Sequence, residues 1–276
     1  MKVVLITGGS EGIGKATAAR FAKEGYQVAI AARTPEKLVE AASDLKNQFT
    51  TPVMPIPTDV RDPEQVKQMV DQVIAEFGQL DVLINNAGLY STGPTEEFSL
   101  EDWHRVIDTN LWGYIHTIHA TLPYFVERGA GAIVNICSVA GKVPMPYTTL
   151  YTTSKHAIAG LSQSLSAELS PKGIQVCAIY PNIIRTTFPE KAVICGKTEE
   201  DKRARRQQLD QTVAVPLIEK PDDVAEAVWQ ALENGESDRV MGSAKLMNGM
   251  NSLFPQLTQW AIRTIFQNKD KSTPLS

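Results

Sequence analysis

Short apolar runs alternate with stretches of helical periodicity along nearly the whole chain, and this alternation limits the possible folds. The strand candidates are 2–6, 27–32, 53–58, 80–84, 131–137, 174–179 and 239–242, with helical segments in the intervals between them. Near-continuous apolar strands are buried on both faces, and a helix between successive strands lets them run parallel. The pattern therefore predicts an α/β fold, a doubly wound parallel sheet with helices on both faces. A length of 276 residues fills one such domain and is short for two.

The formal net charge of −4 argues against a nucleic-acid partner held through its phosphates. Cys137, Cys177 and Cys195 are odd in number and lack metal-ligand spacing. They read as reduced core thiols of a reducing, cytoplasmic compartment, with no metal site. The chain enters a strand at Lys2 without a signal peptide, and no apolar run reaches the ~18 residues of a membrane span.

The first strand leads into Thr7-Gly-Gly-Ser-Glu-Gly-Ile-Gly14 and then a helix from about Ile13 to Glu24. Glycines at 8, 12 and 14 allow either a tight turn alone or close backbone approach to a pyrophosphate at the helix N-terminus. The second strand ends Ala31-Ala32-Arg33-Thr34, where an acid often binds a ribose 2′-hydroxyl. A guanidinium in that place suits a 2′-phosphate; the alternative is a solvated Arg at a strand end. Lys37 stands ready to add charge. Asp59, followed by Val60, is either a loop acid or a partner for an adenine amine. Asn85-Asn86-Ala87-Gly88 is a turn at the carboxyl end of a central strand, where open α/β sheets bind ligands.

Tyr151 and Lys155 are four residues apart and share one helix face, as such pairs also do on ordinary exposed helices. At ~4 Å and an effective dielectric near 20, an ammonium would stabilise the phenolate by roughly 4 kcal/mol, enough to bring a phenol near neutrality. Ser138 ends the apolar run 131–137, and a thirteen-residue interval can return its hydroxyl over that helix. Asn110 falls inside a helix predicted from Ser99 to about Arg128. Asn is a poor interior helix residue, so it is either solvent-exposed or has a polar task at a bend.

Residues 188–215 read as a mobile helix pair over the site, with the run Glu199–Arg206 mostly solvated and an anion clamp the lesser alternative. The pocket walls are expected near 90–94, 139–147 and 183–215, where Val143, Met145, Tyr147 and Phe188 either point to an apolar ligand or simply pack the lid. The tail from Leu253 to Phe266 has a broad apolar face that can pack, cover the pocket, join a second subunit or lie on a bilayer.

Five separated motifs, Thr7–Gly14, Asn85–Gly88, Asn110, Ser138 and Tyr151 with Lys155, together resemble the short-chain dehydrogenase/reductase family in its common non-extended form. The resemblance covers roughly residues 2 to 242 and implies a Rossmann-like, single-domain fold with about seven parallel strands. It implies a catalytic tetrad of Asn110, Ser138, Tyr151 and Lys155. It also implies NADP(H) bound by Thr7, Gly8, Ser10, Gly12, Ile13, Gly14, Arg33, Asp59, Val60, Asn86, Ala87, Gly88, Tyr151, Lys155, Pro181, Ile184 and Thr186. Asn182 departs from the family's usual Gly after Pro181.

The resulting expectation is a ketone–secondary alcohol oxidoreductase with an apolar substrate, lipid, steroid or 3-oxoacyl-like. In it Lys155 lowers the Tyr151 pKa and Asn110 holds a water relaying protons to the lysine. Residues 1–250 would form the catalytic domain and 251–276 an amphipathic helix and tail. The resemblance implies a homodimer or homotetramer. The alternatives are a non-catalytic NADP(H)-binding module and a peripheral membrane reductase that reaches a lipid ketone through its tail.

Overall fold

The computed structural model of the protein describes residues 1–184, 188–213, 219–242 and 244–272. The first half of the chain supplies β1 (Val3–Thr7), α1 (Gly12–Lys23), β2 (Gln27–Ala32), α2 (Pro35–Gln48), β3 (Val53–Pro57), α3 (Pro63–Phe77), β4 (Val82–Asn85), β5 (Ser91–Thr92), α4 (Leu100–Ile107) and α5 (Gly113–Arg128). The second supplies β6 (Gly131–Ile136), α6 (Thr149–Leu169), β7 (Ile174–Tyr180), β8 (Val193–Ile194), α7 (Glu199–Val213), α8 (Pro221–Glu233), β9 (Asp238–Val240), α9 (Ala244–Leu253) and α10 (Pro255–Ser272). Seven of these strands form one parallel sheet in the order β3-β2-β1-β4-β6-β7-β9. The order reverses direction beside β1 and β4, which opens a crevice at their carboxyl ends.

Successive residues of β1 point to opposite faces of the sheet. Val4 and Ile6 join one core with Ala18, Phe21, Leu38 and Val228, whereas Val3 and Leu5 join another with Val66, Met69, Ile118 and Phe125. All four β1 residues are fully buried, and each such side chain contributes roughly 1.5–3 kcal/mol relative to exposure. This two-sided burial explains the unbroken apolar runs in the sequence.

A polar row crosses the middle of the sheet. Asn85 Nδ2 donates to Asn135 Oδ1 at 3.0 Å, Thr117 Oγ1 donates to Asn85 Oδ1 at 2.6 Å, and Asn135 Nδ2 donates to Ser162 Oγ at 2.9 Å. Each of these side chains is buried and paired, so none carries the cost of an unmet hydrogen bond.

The long helix predicted from 99 to 128 is interrupted. Ser99 and Asp102 form the expected capping box, but residues Asp108–Trp112 make a π turn between α4 and α5. The turn rotates Asn110 fully into the interior, so of its two readings the polar task at a bend is the one observed. The segment over the site also differs from the predicted helix pair. Among the described residues it comprises a short 3-10 turn at Phe188–Lys191, strand β8 and the single helix α7. Backbone pairing decides the difference. Val193 N donates to Tyr90 O at 2.9 Å and Cys195 N to Thr92 O at 3.0 Å, making β8 a parallel partner of β5.

The tail folds back as α9 and α10. Ala244 is buried with Val139 and Val143, joined by Met247 and Ile262, and Asn251 Nδ2 donates to Lys142 O at 2.9 Å. All three cysteines are free and buried, and among the described residues no helix is long and apolar enough to cross a membrane.

Candidate active site

A cavity of about 600 Å³ lies over the carboxyl ends of the central strands. Its nucleotide-shaped end is built by the turn between β1 and α1. Gly8 and Gly12 have φ of 65° and 54°, which side chains other than glycine's rarely tolerate. Gly14 stays in ordinary helical space, but a Cβ there would meet Gly8 O at 2.2 Å and Asn86 Nδ2 at 2.6 Å. Asn86 locks this turn by donating Nδ2 to Thr7 O at 3.0 Å and to Gly8 O at 3.1 Å. Thr7 Oγ1 returns the contact, accepting from the amides of Asn86 and Ala87 at 3.0 and 3.1 Å. Thr7 and Gly14 therefore shape the turn from behind, while Gly8, Ser10, Gly12, Ile13, Asn86, Ala87 and Gly88 face the cavity.

Arg33 lines the same end, exposed at the end of β2, with Val60 beside it. Asp59 does not line the cavity. Burial works to raise its carboxyl, but hydrogen bonds from Arg61, aided by the charge of Arg33, hold it below the ordinary carboxylate range. Arg61 Nε reaches both carboxylate oxygens at 3.0 Å. Lys37 does not join Arg33; its ammonium lies 3.4 Å from Glu11 Oε2, and Lys191 pairs with the other Glu11 oxygen. Glu11 is the single acid on the described wall, so the remaining charge there is positive. A cradle that a Cβ would fill, a helix N-terminus behind it and a net cationic wall fit an anionic dinucleotide.

The other end is set by α6. Tyr151 sits in its first turn, where backbone amides have no partner within the helix. Ser91 Oγ accepts from Tyr151 N at 3.1 Å, and Ser154 Oγ donates to Tyr151 O at 2.7 Å. The Tyr151 ring packs edge-on against Tyr90 with centroids 5.0 Å apart. Ser138, at the end of β6, hydrogen-bonds the Tyr151 hydroxyl and accepts from Ala140 N at 3.2 Å. Both residues line the cavity.

Lys155 is anchored to β6. Its ammonium donates to Ile136 O at 2.9 Å and stands 5.7 Å from the Tyr151 ring centroid. Burial dominates both groups: it pushes the Tyr151 phenol well above its ordinary value, against the Ser138 hydrogen bond that favours the phenolate. Burial also lowers Lys155 to about 8. The phenol in this arrangement holds its proton at neutral pH. The ammonium thus has a strand carbonyl as a partner, nineteen positions earlier in the chain.

Asn110 is fully buried and does not line the cavity. Its Oδ1 accepts from Leu89 N at 2.7 Å, and its Nδ2 donates to Leu89 O at 2.9 Å and Ser154 Oγ at 3.0 Å. The side chain thus ties the loop after β4 to α6, and its amide does not touch Lys155. Pro181 and Ile184 line the cavity, whereas Thr186 lies outside the described residues. Tyr147 is the sole non-glycine with positive φ among the described residues, so Asn182 keeps an ordinary backbone and needs no glycine. Val143 packs on Ala244 instead of lining the cavity, and the Phe188 side chain is outside the described set. Met145, Tyr147, Leu209, Met247 and Ile262 line the substrate side, the last two from the tail.

The family model for short chain dehydrogenases matches residues 2–194. The chain belongs to the short-chain dehydrogenase family. It is 34% identical to the 3-oxoacyl-(acyl-carrier-protein) reductase FabG of Thermotoga maritima, over 90% of this chain and 96% of that one. A short-chain dehydrogenase of Sphingobium yanoikuyae in complex with NADPH superposes with a TM-score of 0.76 at 29% identity, covering 94% of this chain and 96% of the other. A short-chain dehydrogenase/reductase of Burkholderia phymatum in complex with NAD gives 0.83 at 25% identity, covering 100% and 98%. Membership makes this chain an oxidoreductase acting on CH–OH or keto groups. Contacts that sequence reasoning missed are Tyr90, Ser91 and Ser154 around Tyr151. Nothing in local spacing marks them, since Ser91 lies sixty positions from the amide it caps.

Proposed function

We propose that this dehydrogenase is an NADP(H)-dependent reductase of an apolar ketone, working reversibly on the secondary alcohol. The observation that carries the reading is the pair of hydroxyls, Ser138 and Tyr151, hydrogen-bonded to each other on one cavity wall. The relatives' names, a 3-oxoacyl reductase and an NADPH complex, support the same direction.

Bound against the glycine turn, the cofactor would supply or accept the hydride. Ser138 orients the carbonyl oxygen and stabilises charge developing on it. Tyr151, protonated at neutral pH, donates its proton to that oxygen in reduction and recovers it in oxidation. Lys155, held by Ile136 O, anchors the nicotinamide ribose. Asn110 is a positioning residue that fixes α6 against the loop after β4. Gly8, Ser10, Gly12 and Ile13 hold the pyrophosphate, Asn86–Gly88 and Val60 the adenosine side, and Pro181–Thr186 the nicotinamide amide. Residues 1–250 constitute the catalytic unit, at work in the cytoplasm as a homodimer or homotetramer.

Arg33 supports NADP(H) over NAD(H), because no acid stands at the end of β2 to repel a 2′-phosphate. A screen of ketones and alcohols, followed at the nicotinamide absorbance with each cofactor, tests both claims. NADPH should exceed NADH at least tenfold in kcat/KM. Arg33→Ser should remove roughly tenfold or more of that preference, since a charge-assisted contact contributes about 1.5–3 kcal/mol. A native preference for NADH would overturn the cofactor assignment. Cofactor binding without turnover of any carbonyl would overturn the catalytic one.

One observation favours a peripheral membrane setting as a second reading. Leu246, Leu253 and Trp260 are 71%, 74% and 64% exposed on the outer side of α9 and α10. No Asp or Glu occurs between Asp238 and Asp270, while Lys245 and Arg263 lie inside that interval. An apolar, acid-free face suits an anionic bilayer surface. Sedimentation with vesicles containing anionic lipid should retain the native chain and release one lacking residues 252–276. Equal retention of the two would exclude a membrane role for the tail.

A further inference from the structure

The charged run on α7 reads from sequence as solvated, but the structure separates one member from the rest. Lys202 pairs with Glu199 at 2.7 Å, and Arg203 is exposed. Arg205 turns inward and lines the cavity with Gln208 and Leu209, the i, i+3 and i+4 positions of one helix face. Its guanidinium lies over the Tyr147 ring, 4.8 Å from the centroid. Among the described residues no carboxylate lies within ion-pair distance of Arg205. The other cavity cations are accounted for: Lys191 pairs with Glu11, Lys155 with Ile136 O, and Arg33 stands at the end of β2.

Tyr147 is itself held in an unusual state. Its φ of 61° is left-handed, and its carbonyl accepts from Gly93 N at 2.7 Å. Such strain persists only where surrounding structure fixes it, and here it presents the ring as a platform for the cation. The same cavity is lined by the apolar Met145, Pro146, Leu209 and Met247 as well as by Gln208 and Thr148. A half-buried guanidinium stacked on a ring and facing a cavity is matched by a ligand that brings its own anionic oxygens.

We infer that Arg205, steadied on Tyr147, binds an anionic group at the end of the substrate remote from the reacting carbonyl. The substrate class is then an amphipathic oxo-acid or its hydroxy counterpart, with an apolar chain between ketone and anion. The inference rests on the ketoreductase reading for its reaction, but the anion site is tested by binding alone.

The test uses oxo-carboxylic acids of increasing chain length, each paired with its methyl ester, and a matched oxo-alkyl phosphate. These are titrated by calorimetry into the full-length native protein saturated with NADP⁺, and into Arg205→Met and Arg205→Lys. The native protein should bind the best acid at least tenfold more tightly than its ester. Arg205→Met should collapse that ratio toward one, and Arg205→Lys should restore part of it. Tighter binding of the phosphate than of the carboxylate would identify a phosphate ester as the anion, with the same dependence on Arg205. Equal binding of acid and ester by the native protein, no binding of any anionic member, or an unchanged ratio in Arg205→Met would each overturn the assignment. Turnover of the same compounds with NADPH reads the catalytic proposal separately: anion binding with no turnover leaves the site standing and removes the reductase reading.

Discussion

Tyr151→Phe should lower kcat by roughly 10²–10⁴-fold while NADPH affinity changes by less than about threefold, because positioned proton transfer contributes on that scale. The change removes one oxygen and keeps the ring that packs on Tyr90. Ser138 loses its hydrogen-bond partner across the cavity wall, but its contact with Ala140 N remains. Lys155 keeps Ile136 O, so the backbone anchor of the ammonium is unaffected. Steady-state kinetics and quenching of NADPH fluorescence separate the two effects. A variant with near-native turnover would mean the proton comes from another group. Equal losses of binding and turnover would instead point to a damaged pocket.

Gly14→Ala should act at the opposite end of the cavity and by a different cause. The added Cβ would fall 2.2 Å from Gly8 O and 2.6 Å from Asn86 Nδ2. Neither neighbour can retreat freely, since Gly8 belongs to the turn and Asn86 is held by Thr7 and Gly8. The turn must open, at about 1–3 kcal/mol of stability. A displacement of the cofactor cradle by even ~1 Å can cost on the order of 100-fold in kcat/KM. Gly160→Ala is the control. It lies inside α6 with nothing within 4 Å of the added atom, so it should raise stability by about 0.5–1 kcal/mol. Thermal melts with and without NADPH distinguish the pair: Gly14→Ala should lose most of the cofactor-dependent rise in Tm, and Gly160→Ala should keep it. If Gly14→Ala retained the full rise, the tight turn would not be the cofactor's cradle.

The sequence carried the sheet and the glycine turn because both depend on local pattern. Apolar runs of β1, β2 and β6 are long enough to require burial on two faces, and glycines 8, 12 and 14 sit where a first strand meets a first helix. Residues whose roles depend on distant partners were not legible in the same way. The i,i+4 spacing of Tyr151 and Lys155 put them on one helix face but gave no sign that Ile136 O, nineteen positions earlier, takes the ammonium. Nor does the spacing show the burial that pushes the phenol up. Asn110 showed up as an anomaly inside a helix, and the π turn that explains it has no residue signature of its own. Arg205 was hidden among like neighbours, since only the phase of α7 against the cavity distinguishes it from Arg203.

The two-residue ladder between β5 and β8 has a mechanical consequence. Ser91 pairs with Val193 across that ladder and also receives the amide of Tyr151. The segment ahead of α7 is thereby tied through one serine to the first turn of α6. Loss of that one hydroxyl would uncouple the two while leaving the backbone ladder in place.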